Sequence, residues 1–237
     1  DTASVYGNEK TVGRAVREGS IPREEIFITS KVWNTDQGYE STLSAFDASL
    51  NRLGTDYLDL YLIHWPIPAG YEKDYRELNR ETWKAMERLY KEGQARAIGV
   101  SNFLPRHLEA LMEQADTIPM VNQLEINPRY HQTEAVAFCR EHGILVESWG
   151  PLARGGVLEE PVLRRIADKH KKSVAQICIR WELQRGIVPL PKSVHADRIK
   201  ANLDIFGFSL DGEDMALIDT LDAPGHYSIH PDHLSEE

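Results

Sequence analysis

The sequence predicts an α/β protein with parallel strands, and it favours a (β/α)8 barrel over an open doubly wound sheet. Apolar, β-rich runs alternate with amphipathic helical stretches along the whole chain, the pattern of parallel strands joined by crossover helices. The strand runs are residues 26–32, 57–64, 95–101, 120–126, 144–150 and 187–191. These six could form an open sheet, but none is followed by the G-x-G-x-x-G turn that cradles phosphate in such sheets. Polar residues and a tryptophan gather instead at the C-terminal ends of nearly every run: Lys31, His64, Ser101 and Asn102, Gln123, Glu125 and Asn127, Trp149, Lys192 and Ser193. Barrel active sites are built at those ends.

Helical stretches fall between the runs, at residues 9–18, 39–53, 79–92, 105–114, 133–142, 174–185 and 196–206. Leu104, Leu108, Leu111 and Met112 have the spacing of one apolar helix face. Ser173 and Thr133 are suited to cap the helices that follow them. No repeat is evident beyond the βα unit, and no segment is of low complexity.

Composition narrows the function classes. The 237 residues are 41% hydrophobic and 27% charged, ordinary values for a globular protein. A net charge of −10 leaves no broad basic face, so nucleic acid and anionic membrane are poor partners. Cys139 and Cys178 are too few for a zinc site or a disulfide framework. They suit a reducing compartment, and the expected location is the cytoplasm. No apolar run approaches the length of a membrane span, and no Asn-x-Ser/Thr acceptor occurs.

Four residues carry the chemistry: Asp1, Tyr6, Lys31 and His64, in the segments DTASVYGNE, FITSKVWN and YLDLYLIHWP. Together they are what a site needs to give a proton to a carbonyl oxygen near neutral pH. A tyrosine hydroxyl ordinarily titrates at about 10, and a nearby ammonium favours its phenolate. A carboxylate keeps the lysine charged and aimed, and a histidine can orient the substrate oxygen. Each residue also has a plainer reading. Tyr6 alone could be a packing aromatic, Lys31 an ion-pair partner or a Schiff-base amine, and His64 a satisfied core histidine.

These segments, with GVSNF, VNQLEINP, ESWGPLARGG and VPLPKSVHADRIKANL following in order, resemble the aldo-keto reductase family over essentially the whole chain. ESWGPLARGG and the tail HPDHLSEE look most like the bacterial branch that contains the 2,5-diketo-gluconic acid reductases. The resemblance implies a (β/α)8 TIM barrel as a single domain over residues 1–237, incomplete at its N-terminus. The first βα unit and most of the second strand, on the order of 40 to 50 residues, should precede Asp1. Without them the first and last strands would be open edges.

The family pattern implies NADPH-dependent reduction of an aldehyde or ketone, with Tyr6 as acid, Lys31 and Asp1 as its activators and His64 as the orienter. Ser101, Asn102 and Gln123 match the positions that bond the nicotinamide carboxamide, and Trp149 the ring that stacks on it. Gly150, Leu152 and Arg154 match the pyrophosphate stretch. Lys192, Ser193, Val194 and Arg198 match the adenosine 2′-phosphate clamp, which favours NADPH over NADH, and Asn202 matches an adenine contact. Ala201 departs from the acidic residue often found at its position. Val5, Trp33 and Trp65 should wall the substrate pocket.

Residues 67–77, 153–161 and the tail 223–237, with Tyr227, His230 and His233, should be loops over the barrel mouth. The HPDH run invites a metal reading, which lacks a fixed element to set its spacing, so no metal is expected. The expected partner is a small carbonyl compound, drawn from dicarbonyls, aldoses or keto-sugar acids, and the expected assembly is a monomer. Two other functions fit the same residues: a Schiff-base aldolase or isomerase using Lys31, and a non-catalytic NADPH-sensing subunit.

Overall fold

The computed structural model describes residues 1–223 and 229–232. Tyr227, His233 and most of the tail assigned to a loop over the site lie outside the described residues. The chain divides into two compact units, Asp1–Asn122 with Ile229–Glu237, and Gln123–Ser228.

The first unit holds the strands β1 (Thr29–Val32), β2 (Leu60–Ile63) and β3 (Ile98–Ser101), side by side and parallel. Lys31 is opposite Leu62, and Ile63 opposite Val100. Met120, entering β4 (Val121–Glu125), donates its N–H to the Ile98 carbonyl at 3.0 Å. Every residue of β1, β2 and β3 is buried. β2 (LYLI) is apolar throughout, as expected of a strand covered on both faces, whereas β1 (TSKV) buries Thr29, Ser30 and Lys31, the last two with their side-chain polar atoms met by hydrogen bonds. Helices α1 (Glu9–Glu18), α2 (Tyr39–Leu53), α3 (Tyr75–Lys91) and α4 (Pro105–Met112) supply the crossovers. Phe46, Leu53, Trp83, Met86, Leu89 and Leu108 bury their apolar faces.

The division falls within β4, and the second unit carries its residues from Gln123 on, with β5 (Leu145–Trp149) and β6 (Val188–Pro189), where Glu147 is opposite Val188. Its helices are α5 (Thr133–Glu141), α6 (Pro161–His170), α7 (Val174–Gln184), α8 (Ala196–Leu203) and α9 (Gly212–Asp219). Ser173 caps α7, its hydroxyl accepting from the Gln176 N–H at 3.3 Å. Thr133 does not cap α5. That place belongs to Gln132, which adopts a left-handed backbone (φ 47°) and leaves Thr133 as the first helical residue.

The regular strands start up to three residues later than their apolar runs. The reason is visible at Asp59. Its buried carboxylate takes the Ile28 N–H at 2.9 Å and pairs with Arg23 and Arg96 at 2.8 and 3.1 Å. Side chains share the N-terminal ends of β1 and β2 with a few backbone bonds, among them Leu58 N–H to the Gln94 carbonyl at 2.9 Å and Asp59 N–H to the Ile28 carbonyl at 3.1 Å. Helix α3 begins four residues before the expected 79, because its first turn is mostly exposed and polar and shows no apolar period. Helix α8 stops at Leu203 rather than 206. Helices α6 and α9 go beyond the sequence-based expectation. Their local signals are a proline at the start of α6 and the Asp211 cap of α9, whose carboxylate accepts from the Asp214 N–H at 2.9 Å.

Helices α1 and α2 touch through backbone at Gly13. A Cβ placed there would lie 1.9 Å from the Leu53 carbonyl oxygen. Gly13→Ala should therefore force the helices apart and lower unfolding stability by about 2 kcal/mol, read as a lower urea midpoint at constant slope.

Candidate active site

Asp1, Tyr6, Lys31 and His64 meet within the first unit. Lys31 lies in β1 with its side chain 0% exposed. Its ammonium donates to Asp1 Oδ1 at 2.7 Å and to the Thr2 carbonyl at 3.0 Å, and sits 5.1 Å from the centroid of the Tyr6 ring. A buried cation is tolerable only when paired and hydrogen-bonded. Asp1 and Thr2 provide that pairing, and the phenol ring lies within cation–π range. Tyr6 Oη is 3.5 Å from His64 Nε2, and the two rings are edge-on with centroids 5.6 Å apart.

His64 follows β2 directly, and its N–H reaches the Val32 carbonyl at 3.3 Å. Burial, and then the nearby Lys31 charge, press its imidazole down to about 3 from its ordinary 6.5. The ring is neutral at physiological pH, so it keeps one N–H to donate and adds no second cation beside Lys31.

Val5 is exposed beside Tyr6 on the single 3-10 turn Ser4–Tyr6. Trp33 is partly exposed, edge-on to His64 with centroids 5.0 Å apart. Trp65 is buried and stacked on His64 at 6.3 Å, and its carbonyl accepts from Gln37 at 2.8 Å.

Ser101 ends β3, and Asn102 follows with φ 64°. A non-glycine residue in that region is strained, asparagine less than most. The turn aims the Asn102 amide back, to the His64 carbonyl at 3.0 Å and the Ser101 hydroxyl at 3.1 Å.

The remaining candidates lie in the second unit. Gln123 is buried in β4, and its amide nitrogen donates to Glu147 at 2.9 Å. Trp149 ends β5 half-buried, and Gly150 after it has φ 67°. Gly150, Leu152 and Arg154 share a tight turn, closed by Ala153 N–H to Gly150 O at 2.8 Å and Gly155 N–H to Leu152 O at 2.7 Å. Ala153 and Arg154 both have positive φ, 45° and 53°, a second strained stretch of the kind that marks functional loops.

Lys192 and Val194 are exposed, with Ser193 half-buried between them and bonded to the His195 N–H at 3.1 Å. Arg198 is exposed on α8, and Asn202 is half-buried one turn further. Among the described residues, Arg154, Lys192 and Arg198 have no carboxylate partner. Lys192, Ser193 and Arg198 lie close in sequence around the start of α8, two cations and a hydroxyl of the kind that can hold a phosphate.

The sequence reading did not single out the bonds that hold the first nine residues: Thr2 to Asn8, Ser4 to the Lys31 carbonyl, and Glu9 to Ser30 and Arg52. The signal was the Asn-Glu pair inside YGNE. Also unanticipated was the anchoring of residues 229–232. The Asp232 carboxylate meets Arg106, and lies 3.0 Å from Nε2 of the buried His107. His230 Nδ1 accepts from the Asp232 N–H at 3.1 Å. Among the described residues no group of three or more His, Cys, Asp or Glu is arranged to hold a metal ion, and no helix is long and apolar enough to cross a membrane.

Because His64 takes up a proton near 6.5 when unfolded and only near 3 when folded, its contribution to stability is present above pH 6.5. It is lost as the pH falls from 6.5 toward 3. Between pH 7 and pH 4 the wild type should lose on the order of 3 kcal/mol more than His64→Gln, measured by urea unfolding.

The model of the Aldo/keto reductase family matches residues 1–223. The glyoxal reductase of Bacillus subtilis (strain 168) is 52% identical over 234 residues, 99% of this chain and 82% of that protein. A crystal structure of a Gox0644 mutant in complex with NADPH superposes with a TM-score of 0.91 at 42% identity, covering 99% of this chain and 83% of the other. A putative 2,5-diketo-D-gluconic acid reductase B gives 0.89 at 33% identity, covering 100% and 80%.

Proposed function

The chain belongs to the aldo/keto reductase family, and from that premise we propose that it reduces an aldehyde or ketone to the alcohol with NADPH, taking the proton from Tyr6. The observation that carries this reading is the Tyr6 hydroxyl 3.5 Å from His64 Nε2, with the buried Lys31 ammonium over its ring. NADPH, when bound, supplies the hydride.

The chain's own groups do the rest. Tyr6 Oη and His64 Nε2 define a place where a carbonyl oxygen can be held by two donors. As that oxygen gains charge, fixed donors stabilise it without reorganising. Tyr6 then gives up its proton, and Lys31, held by Asp1 and Thr2, stabilises the phenolate left behind. Tyr6 is 50% exposed, so water can return the proton after turnover. The Lys31 amine is engaged by Asp1 and the Thr2 carbonyl, which is poor preparation for a Schiff-base nucleophile.

Ser101, Asn102 and Gln123 are assigned to the carboxamide, and Trp149 to the nicotinamide face. Gly150, Leu152 and Arg154 are assigned to the pyrophosphate, and Asn202 to adenine. Lys192, Ser193, Val194 and Arg198 are assigned to the 2′-phosphate, the group that separates NADPH from NADH. Val5, Trp33 and Trp65 are assigned to the substrate, a small carbonyl compound. We read residues 1–237 as one barrel domain acting as a cytoplasmic monomer, a location supported by two buried thiols, Cys139 and Cys178.

Tyr6→Phe should cut kcat by about 10³-fold or more while leaving NADPH affinity within about twofold. Near-normal turnover of that variant in a dicarbonyl assay would refute the acid assignment. Arg198→Ala should raise KM for NADPH by about tenfold, the loss of one charge-assisted bond to phosphate, and leave KM for NADH unchanged.

A further inference from the structure

Tyr6 is only partly held by packing, against His64 and Lys31. It is half-exposed, on a single 3-10 turn that ends at Gly7 with φ 66°. Its position is set by what ties down the chain on either side. Before it, the Thr2 N–H bonds the Thr29 carbonyl at 2.9 Å and the Ser4 hydroxyl bonds the Lys31 carbonyl at 3.1 Å. After it comes Glu9, the first residue of α1, whose carboxylate is 1% exposed. One carboxylate oxygen accepts from the Ser30 hydroxyl at 2.6 Å and the other from Arg52 Nε at 2.5 Å. Ser30 is the strand residue next to Lys31. Arg52 also donates to Ser49 at 3.0 Å, which fixes its guanidinium on α2.

We propose that Glu9 is a positioning residue for Tyr6, acting through Ser30 and Arg52, and this rests on the assignment of Tyr6 as the acid. Both ends of the Tyr6 turn are thereby attached to β1, the strand that carries Lys31. The hydroxyl and the ammonium keep one spacing because they share one short strand as their reference. Arg52 supplies the charge that lets a carboxylate sit buried in that joint, where an unpaired one would be expelled. The turn needs such a joint because a misplacement of about 1 Å at a reacting group costs on the order of 100-fold in rate.

The test compares Glu9→Ala, Glu9→Gln and Ser30→Ala in the full chain, with Tyr6→Phe alongside, using a small dicarbonyl at saturating NADPH. The expected result is a fall in kcat of about 10- to 100-fold for Glu9→Ala and several-fold for Ser30→Ala. Glu9→Gln should fall between wild type and Glu9→Ala, because its one amide oxygen can still accept from Ser30 while its NH2 cannot accept from Arg52. NADPH affinity should stay within about twofold throughout. A purely structural role would lower Tm and leave kcat per folded molecule at the wild-type value. That outcome in Glu9→Ala overturns the proposal, and Ser30→Ala decides it if Glu9→Ala does not fold. If Tyr6→Phe turns over normally, the acid assignment fails and this inference with it. If Tyr6→Phe is dead while Glu9→Ala and Ser30→Ala are fully active, the positioning role alone fails.

Discussion

One buried ammonium governs the arrangement of this protein's chemistry. Lys31 has no solvent to satisfy it, so its surroundings must. The acceptors it uses, Asp1 and the Thr2 carbonyl, come from the chain's first two residues. Holding the charge and holding the segment that carries Tyr6 are therefore one task. The same charge also acts on His64, where it adds to burial in keeping the ring uncharged. A cation, a phenol and a neutral imidazole in sequence give a path along which negative charge is welcome at one end and positive charge is not duplicated at the other.

Much of this was legible in the residues. The run at β2 showed because LYLI is buried throughout and leaves an unbroken apolar record, while β1 showed through the Ile26, Phe27 and Ile28 that lead into its polar TSKV. Helices α1 and α2 were bounded correctly because glycines mark their ends, Gly19 after α1 and Gly38 and Gly54 on either side of α2. What the residues hid was mostly backbone and side-chain bonding. The early part of β2 is apolar enough to read as strand, yet Asp59 ties that end by its carboxylate. Helix α9 buries only Asp214 and Ile218, too few positions to show a period. Nothing local to Glu9 reveals that Arg52, 43 residues later, comes back to meet it.

Three of the five described non-glycine residues with positive φ fall where binding was expected, the other two, Gln132 and Lys171, being helix ends. Asn102 and the pair Ala153 and Arg154 adopt left-handed conformations that cost energy in any residue but glycine. Asn102 offsets part of that by bonding the His64 carbonyl, so the turn that displays it also steadies the segment beyond β2. Such positions leave little trace in composition. A motif such as GVSNF marks them only to a reader who knows that an asparagine placed just after a strand can turn left.

All four residues of the proton-handling group come from the first 64 positions and lie within a single unit. The residues assigned to the cofactor's phosphates all come after position 149. On the proposed assignment, a substitution in the late loops would act on nucleotide preference while leaving Asp1, Tyr6, Lys31 and His64 with the bonds that join them.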